Sequence, residues 1–102
     1  MALYKKYPKT GKTCKVTFEL SPEASQNAEK VFLVGDFNSW SSIETPMKKE
    51  KDGSFSMTLS LEQGKEYQFR YLLDGTHWEN DWAADKYVPA PFSHVDNSVV
   101  IV

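Results

Sequence analysis

One cysteine, two histidines and no long apolar run in 102 residues remove several classes of function at once. Cys14 alone closes no intramolecular disulfide and builds no thiolate metal cage, and such a chain suits a reducing compartment. His77 and His94 lie far apart and lack a third ligand at zinc-type spacing, so no metal and no cofactor are expected. Nothing approaches the ~20 consecutive apolar residues of a membrane span. The start, MALYKKYPKTGKTCK, has basic residues with no apolar stretch behind them. The expectation is a soluble, cytoplasmic chain that meets no membrane. Excess charge is missing too: 12 basic and 14 acidic side chains leave a net charge of −2, too weak a field to gather nucleic acid. A Gly-x-Ser-x-Gly nucleophile elbow and a glycine-rich phosphate loop are also absent.

What is there is apolar alternation. With 40% apolar and 14% aromatic residues the chain can build one core. Residues 1–12 carry Lys5, Lys6, Pro8, Lys9, Gly11 and Lys12 without periodicity and read as a flexible arm, leaving residues 13–102 as a single domain. From Thr13 to Leu20, Cys14, Val16, Phe18 and Leu20 alternate with polar residues, as a half-buried strand requires. Residues 21–30 are polar with no apolar stripe and read as a loop. Val31–Gly35 is a short apolar run closed by Gly35, Asp36 and Asn38, hence a buried strand and its turn. Phe55, Met57, Leu59 and Leu61 alternate with hydroxyl residues, and Tyr67, Phe69, Tyr71 and Leu73 alternate with Gln68, Arg70 and Leu72. Asp74-Gly75 is a hairpin signal. Residues 79–97 contain Pro89 and Pro91, which oppose regular pairing, and Ser98–Val102 reads as a closing strand. Short alternating strands between Gly, Asp and Pro turns predict an all-β, antiparallel sandwich.

The carboxylates Asp36, Asp74, Glu79, Asp81 and Asp85 invite a glycosidase reading, which needs two carboxyls about 5–9 Å apart across a cleft. Each has a plainer one: Asp36 and Asp74 sit beside turn glycines, and the others read as solvated loop charges. The residues do not by themselves support an enzyme. A binding surface fares better, because sugars carry hydroxyls at their edges and C–H faces above and below, which flat rings and a few donors can grip. Trp40 and Trp78 both follow turns, and Arg70 lies on the strand face opposite the aromatic row. Both indoles as caps on the core edges is the other open reading.

VFLVGDFNSW (31–40), YQFRYLLDG (67–75), Trp78 and Asn97-Ser98-Val99-Val100, in this order, resemble the family 48 carbohydrate-binding module, or isoamylase N-terminal (early set) domain. That domain precedes glycoside hydrolase family 13 barrels and is similar to the glycogen-binding domain of the AMP-activated protein kinase beta subunit. The resemblance implies an immunoglobulin-like sandwich that binds α-1,4-glucan such as glycogen, starch-like glucan or malto-oligosaccharide. It implies that Trp40 and Trp78 stack on glucose while Arg70 and Asn97 hydrogen-bond its hydroxyls. Trp82 and Phe92 offer further rings ahead of Asn97, or cover for the core. A (β/α)₈ barrel needs about 200 residues or more, so hydrolase activity is not inherited with the domain. The alternative is a protein-interaction module that docks on a separate glucan-metabolising enzyme or kinase-like complex.

Overall fold

In the computed structural model, which describes residues 2–91 and 94–102, the alternating segments are strands. In chain order they are β1 (Ala2–Lys6), β2 (Thr13–Leu20), a one-turn helix α1 (Pro22–Ser25), β3 (Val31–Gly35), a 3₁₀ turn (Asp36–Asn38), β4 (Lys48–Lys49), β5 (Phe55–Glu62), β6 (Glu66–Leu73), β7 (His77–Glu79), β8 (Lys86–Pro89) and β9 (Asp96–Ile101). They form two antiparallel sheets, one ordered β1-β2-β5-β4 and the other β3-β6-β9-β8, with β7 also paired to β6. The chain is an all-β sandwich.

Register explains the core. Cys14 pairs with Leu61, Val16 with Leu59, Phe18 with Met57 and Leu20 with Phe55, so one face of the first sheet is apolar throughout. The other face carries Thr17 against Thr58, whose hydroxyls are 2.7 Å apart. From the second sheet Val31, Leu33, Phe69, Tyr71, Leu73 and Val100 meet that apolar face. Phe18 and Phe69 join the two layers edge to face, centroids 5.0 Å apart. Each buried side chain of this size stabilises the fold by about 1.5–3 kcal/mol.

Three segments differ from the sequence expectation. The arm is not loose over its first residues: β1 pairs along β2 from Ala2↔Glu19 to Lys6↔Lys15, Leu3 packs on the core, and Lys5 Nζ is 2.6 Å from Asp85 Oδ2. So short a strand shows no periodicity, and the free edge of β2 supplies its hydrogen bonds. Within 21–30, Ser21 Oγ accepts from Ala24 N at 3.2 Å and Pro22 opens the turn of α1, a helix too short to display a stripe. Within 79–97, Lys86–Pro89 does pair with β9 as an edge strand ending at Pro89, where a missing N–H is tolerated.

What positions the site is the outer face of the second sheet. On one edge β6 pairs with β3 from Leu73 to Phe69. On the other it pairs with β9 through Phe69 and with β7 from Tyr71 onward. Arg70 therefore stands where β9 and β7 part, with Gln68 and Leu72 beside it on the same face.

Candidate functional site

The turn after β3 is built residue by residue. A Cβ on Gly35 would lie 2.5 Å from the Gln68 carbonyl oxygen and 2.8 Å from Phe69 Cβ, so only glycine lets the turn sit against β6. Asn38 locks it: Oδ1 accepts from Gly35 N at 3.1 Å, and Nδ2 donates to Leu33 O at 2.9 Å and Thr45 Oγ1 at 3.0 Å. Phe37 anchors it in the core, 5.6 Å from Phe18. Ser39 and Trp40 then take left-handed backbone, φ +57° and +58°, a costly conformation for a bulky residue that persists only where the surroundings impose it. Trp40 N donates to Gly35 O at 2.9 Å. Its indole Nε1 donates to Asp36 Oδ1 at 2.8 Å, and Asp36 Oδ2 accepts from Gln68 N at 2.7 Å. The result is an indole at the rim, 37% exposed.

The second indole is held by ordinary hairpin chemistry. Asp74 and Gly75 both have positive φ, and Asp74 Oδ1 accepts from Glu29 N and Lys30 N at 2.9 and 3.0 Å. β7 returns along β6 with Trp78 opposite Leu72, and Trp78 is 40% exposed. The Arg70 guanidinium carbon lies 5.5 Å from its ring centroid, a cation–π contact. Arg70 Nε is buried with no hydrogen-bond partner among the described residues. Burial holds the Arg70 pKa below the usual arginine value, with Glu79 acting in the opposite direction, and a guanidinium so placed stays charged.

Asn97 is almost wholly buried, and its Nδ2 donates to Gln68 Oε1 at 3.0 Å. The strand around it is clamped by Asn80, whose Nδ2 donates to Asp96 O at 2.8 Å while its Oδ1 accepts from Ser98 N at 3.1 Å. All four residues singled out from the sequence, Trp40, Arg70, Trp78 and Asn97, line one open groove of about 500 Å³, together with Asp36, Gln68, Ala90 and Pro91. Both indoles are partly covered and partly exposed, and each offers part of its surface to the groove. Two flat rings, a guanidinium and carboxamides can stack on and hydrogen-bond a neutral polyhydroxyl ligand.

Sequence reasoning missed Gln68 and the bridging role of Asp36. A period-two count back from Arg70 was the available signal for Gln68, whereas Asp36 looked like any turn aspartate. Trp82 is exposed, donates from Nε1 to Glu79 Oε1 at 3.2 Å, and does not line the groove. Phe92 lies outside the described residues. Asp81 corrects the picture of solvated loop charges, because it is fully buried. Tyr71 donates its hydroxyl to Asp81 Oδ2 at 2.7 Å and Ala83 N donates to Oδ1 at 2.8 Å. Asp81 N donates to Ser98 Oγ at 2.9 Å. Burial pushes the Asp81 carboxyl up, against the Tyr71 hydrogen bond. Nothing in the local sequence marks it, since only the packing of Tyr71 against this loop takes it from water.

Residues 14–88 match the family model described as carbohydrate-binding module 48 (isoamylase N-terminal domain), and the chain belongs to that family. Trp40, Arg70 and Trp78 fall inside the matched segment and Asn97 beyond it. The chain is 34% identical over 77 residues to Protein PTST homolog 2, chloroplastic, of Arabidopsis thaliana, covering 74% of this chain and 13% of that protein. It is 37% identical over 57 residues to Protein FLOURY ENDOSPERM 6, chloroplastic, of Oryza sativa subsp. japonica, covering 56% of this chain and 10% of that protein. The match thus spans only about a tenth of these relatives' length. Both are named chloroplastic, which overturns the cytoplasmic expectation. A lone cysteine points to reducing conditions and does not distinguish one reducing compartment from another.

Proposed function

We propose that this chain binds α-1,4-glucan of the starch type, without catalysis, in the groove on the outer face of the second sheet. In this reading Trp40 and Trp78 stack on glucose rings while Arg70 and Asn97 hydrogen-bond hydroxyls. The observation that carries it is the convergence on one open groove of two half-exposed indoles and a guanidinium whose buried Nε has no partner among the described residues. Membership of a carbohydrate-binding family supports it, and the chloroplastic names of both relatives favour plastid glucan over glycogen. Two rings and a few hydrogen bonds, each contributing about 1 kcal/mol, correspond to a dissociation constant of roughly 0.1–1 mM for a short oligosaccharide. Calorimetric titration with maltoheptaose tests this, with Trp40→Ala and Trp78→Ala as controls. No heat from the wild type at millimolar sugar overturns it.

A second reading, docking on a separate glucan-metabolising enzyme, draws support from Trp82, which is 58% exposed outside the groove. Capture of one defined enzyme that persists in excess maltodextrin, and is lost in Trp82→Ala, is the result this reading requires.

A further inference from the structure

Of the two indoles, Trp40 is the one whose backbone is not held in a sheet ladder. It sits at the rim of a turn rather than on a paired strand, and its ring is more than one third exposed. An indole that had to be frozen on binding would lose roughly threefold to tenfold in affinity to that ordering. One group prevents this. Asp36 accepts the indole N–H on Oδ1 at 2.8 Å and a backbone N–H of β6, that of Gln68, on Oδ2 at 2.7 Å. The carboxylate thus ties the ring angle to the strand that carries Arg70. The same strand residue, Gln68, accepts from Asn97 Nδ2. Trp40, Asp36, Gln68 and Asn97 therefore form one hydrogen-bonded chain along the groove, whereas Arg70 and Trp78 form a separate stacked pair.

We infer that Asp36 is a positioning residue for ligand binding, holding the Trp40 indole in its stacking orientation by a hydrogen bond referenced to β6; the inference rests on the glucan reading above. The Trp40 N–H is committed to Asp36, so this indole presents only its face and grips a sugar without regard to hydroxyl orientation. Discrimination among hydroxyl patterns falls to Arg70 and Asn97.

Asp36 also lines the groove, so a direct contact with sugar is the competing account, and a thermodynamic cycle separates the two. Asp36→Asn is made in the wild type and in Trp40→Phe, which keeps a ring but has no N–H for Asp36 to hold. Binding of maltoheptaose is measured by calorimetry, and indole N–H resonances by ¹H–¹⁵N correlation spectra. The expected loss is about fivefold to tenfold in the wild type and less than about twofold in the Trp40→Phe background. The Trp40 indole resonance should move in Asp36→Asn while that of Trp78 stays. Asp36→Glu, which keeps the charge but shifts it by one methylene, should lose affinity as Asn does. Equal losses in both backgrounds, full affinity in Asp36→Asn or Asp36→Glu, or an unmoved Trp40 resonance overturns the inference and leaves the glucan reading standing. A wild type that binds no maltoheptaose overturns the glucan reading, and the inference with it.

Discussion

Two tryptophans of nearly equal exposure, 37% and 40%, are presented by opposite means. Trp40 stands on left-handed backbone in a turn that depends on one glycine, one asparagine and one aspartate, each making directional contacts. Trp78 stands on a regular strand behind an Asp-Gly hairpin, with Arg70 against its ring. The first arrangement is strained and specified atom by atom, while the second uses backbone geometry that many sequences adopt. Strain held at the rim of the groove is stability given up for placement of a side chain. Mutations should therefore separate stability from binding at Trp40 and leave them together at Trp78.

The largest expected effect is at the base of the first turn. Gly35→Ala forces a Cβ onto the β6 backbone and should cost about 3 kcal/mol in urea denaturation, and a loss under about 1 kcal/mol would mean that the turn yields. Next come the rings. Trp40→Gly and Trp78→Ala should each lower glucan affinity about fivefold to tenfold in calorimetry. Trp40→Gly should at the same time cost less stability than Trp78→Ala, because glycine tolerates φ +58° and that relief, up to about 1 kcal/mol, offsets part of the packing lost with the ring. Trp78→Ala should lower stability, and a parallel loss in both variants would erase the contrast drawn between them. A smaller effect is expected from Arg70→Lys, which keeps a cation but loses the planar group over Trp78 and should cost about 0.5–1 kcal/mol of binding.

The last prediction concerns the segment that follows Trp78. Burial raises the Asp81 carboxyl in the folded chain, so between its unfolded and folded pKa values the folded state binds more protons than the unfolded. The stability this group contributes is full below about pH 4 and falls as pH rises through the folded value. Relative to Asp81→Asn, the wild type should lose stability steadily over that window in urea melts taken at successive pH values. A flat difference, or one that rises with pH, would mean that Asp81 is already ionised and satisfied in the fold.

Much of the architecture was legible. The spans Thr13–Leu20 and Val31–Gly35 are strands with the bounds their patterns suggest, because alternation and turn residues are local signals. The chemistry of the groove was legible only as residue types. Gln68 reads as one more polar residue on an outer face until β9 lies beside β6 and brings Asn97 to it. Asp81 reads as a solvated charge until Tyr71 and Ser98 close over it. The strand at Ala2–Lys6 escaped because a five-residue edge strand is defined by its partner rather than by its own pattern.

By itself, then, the sequence determined which segments are strands, which face of each is apolar, where the glycines force turns, and that two indoles and an arginine follow or flank those turns. Period-two alternation assigns a side chain to a face but carries no information on which strand lies next to it. Only the sheet registers, set by packing of the two layers, brought Trp40, Arg70, Trp78 and Asn97 to one groove, ran the hydrogen bonds from Trp40 through Asp36 and Gln68 to Asn97, and took Asp81 out of water.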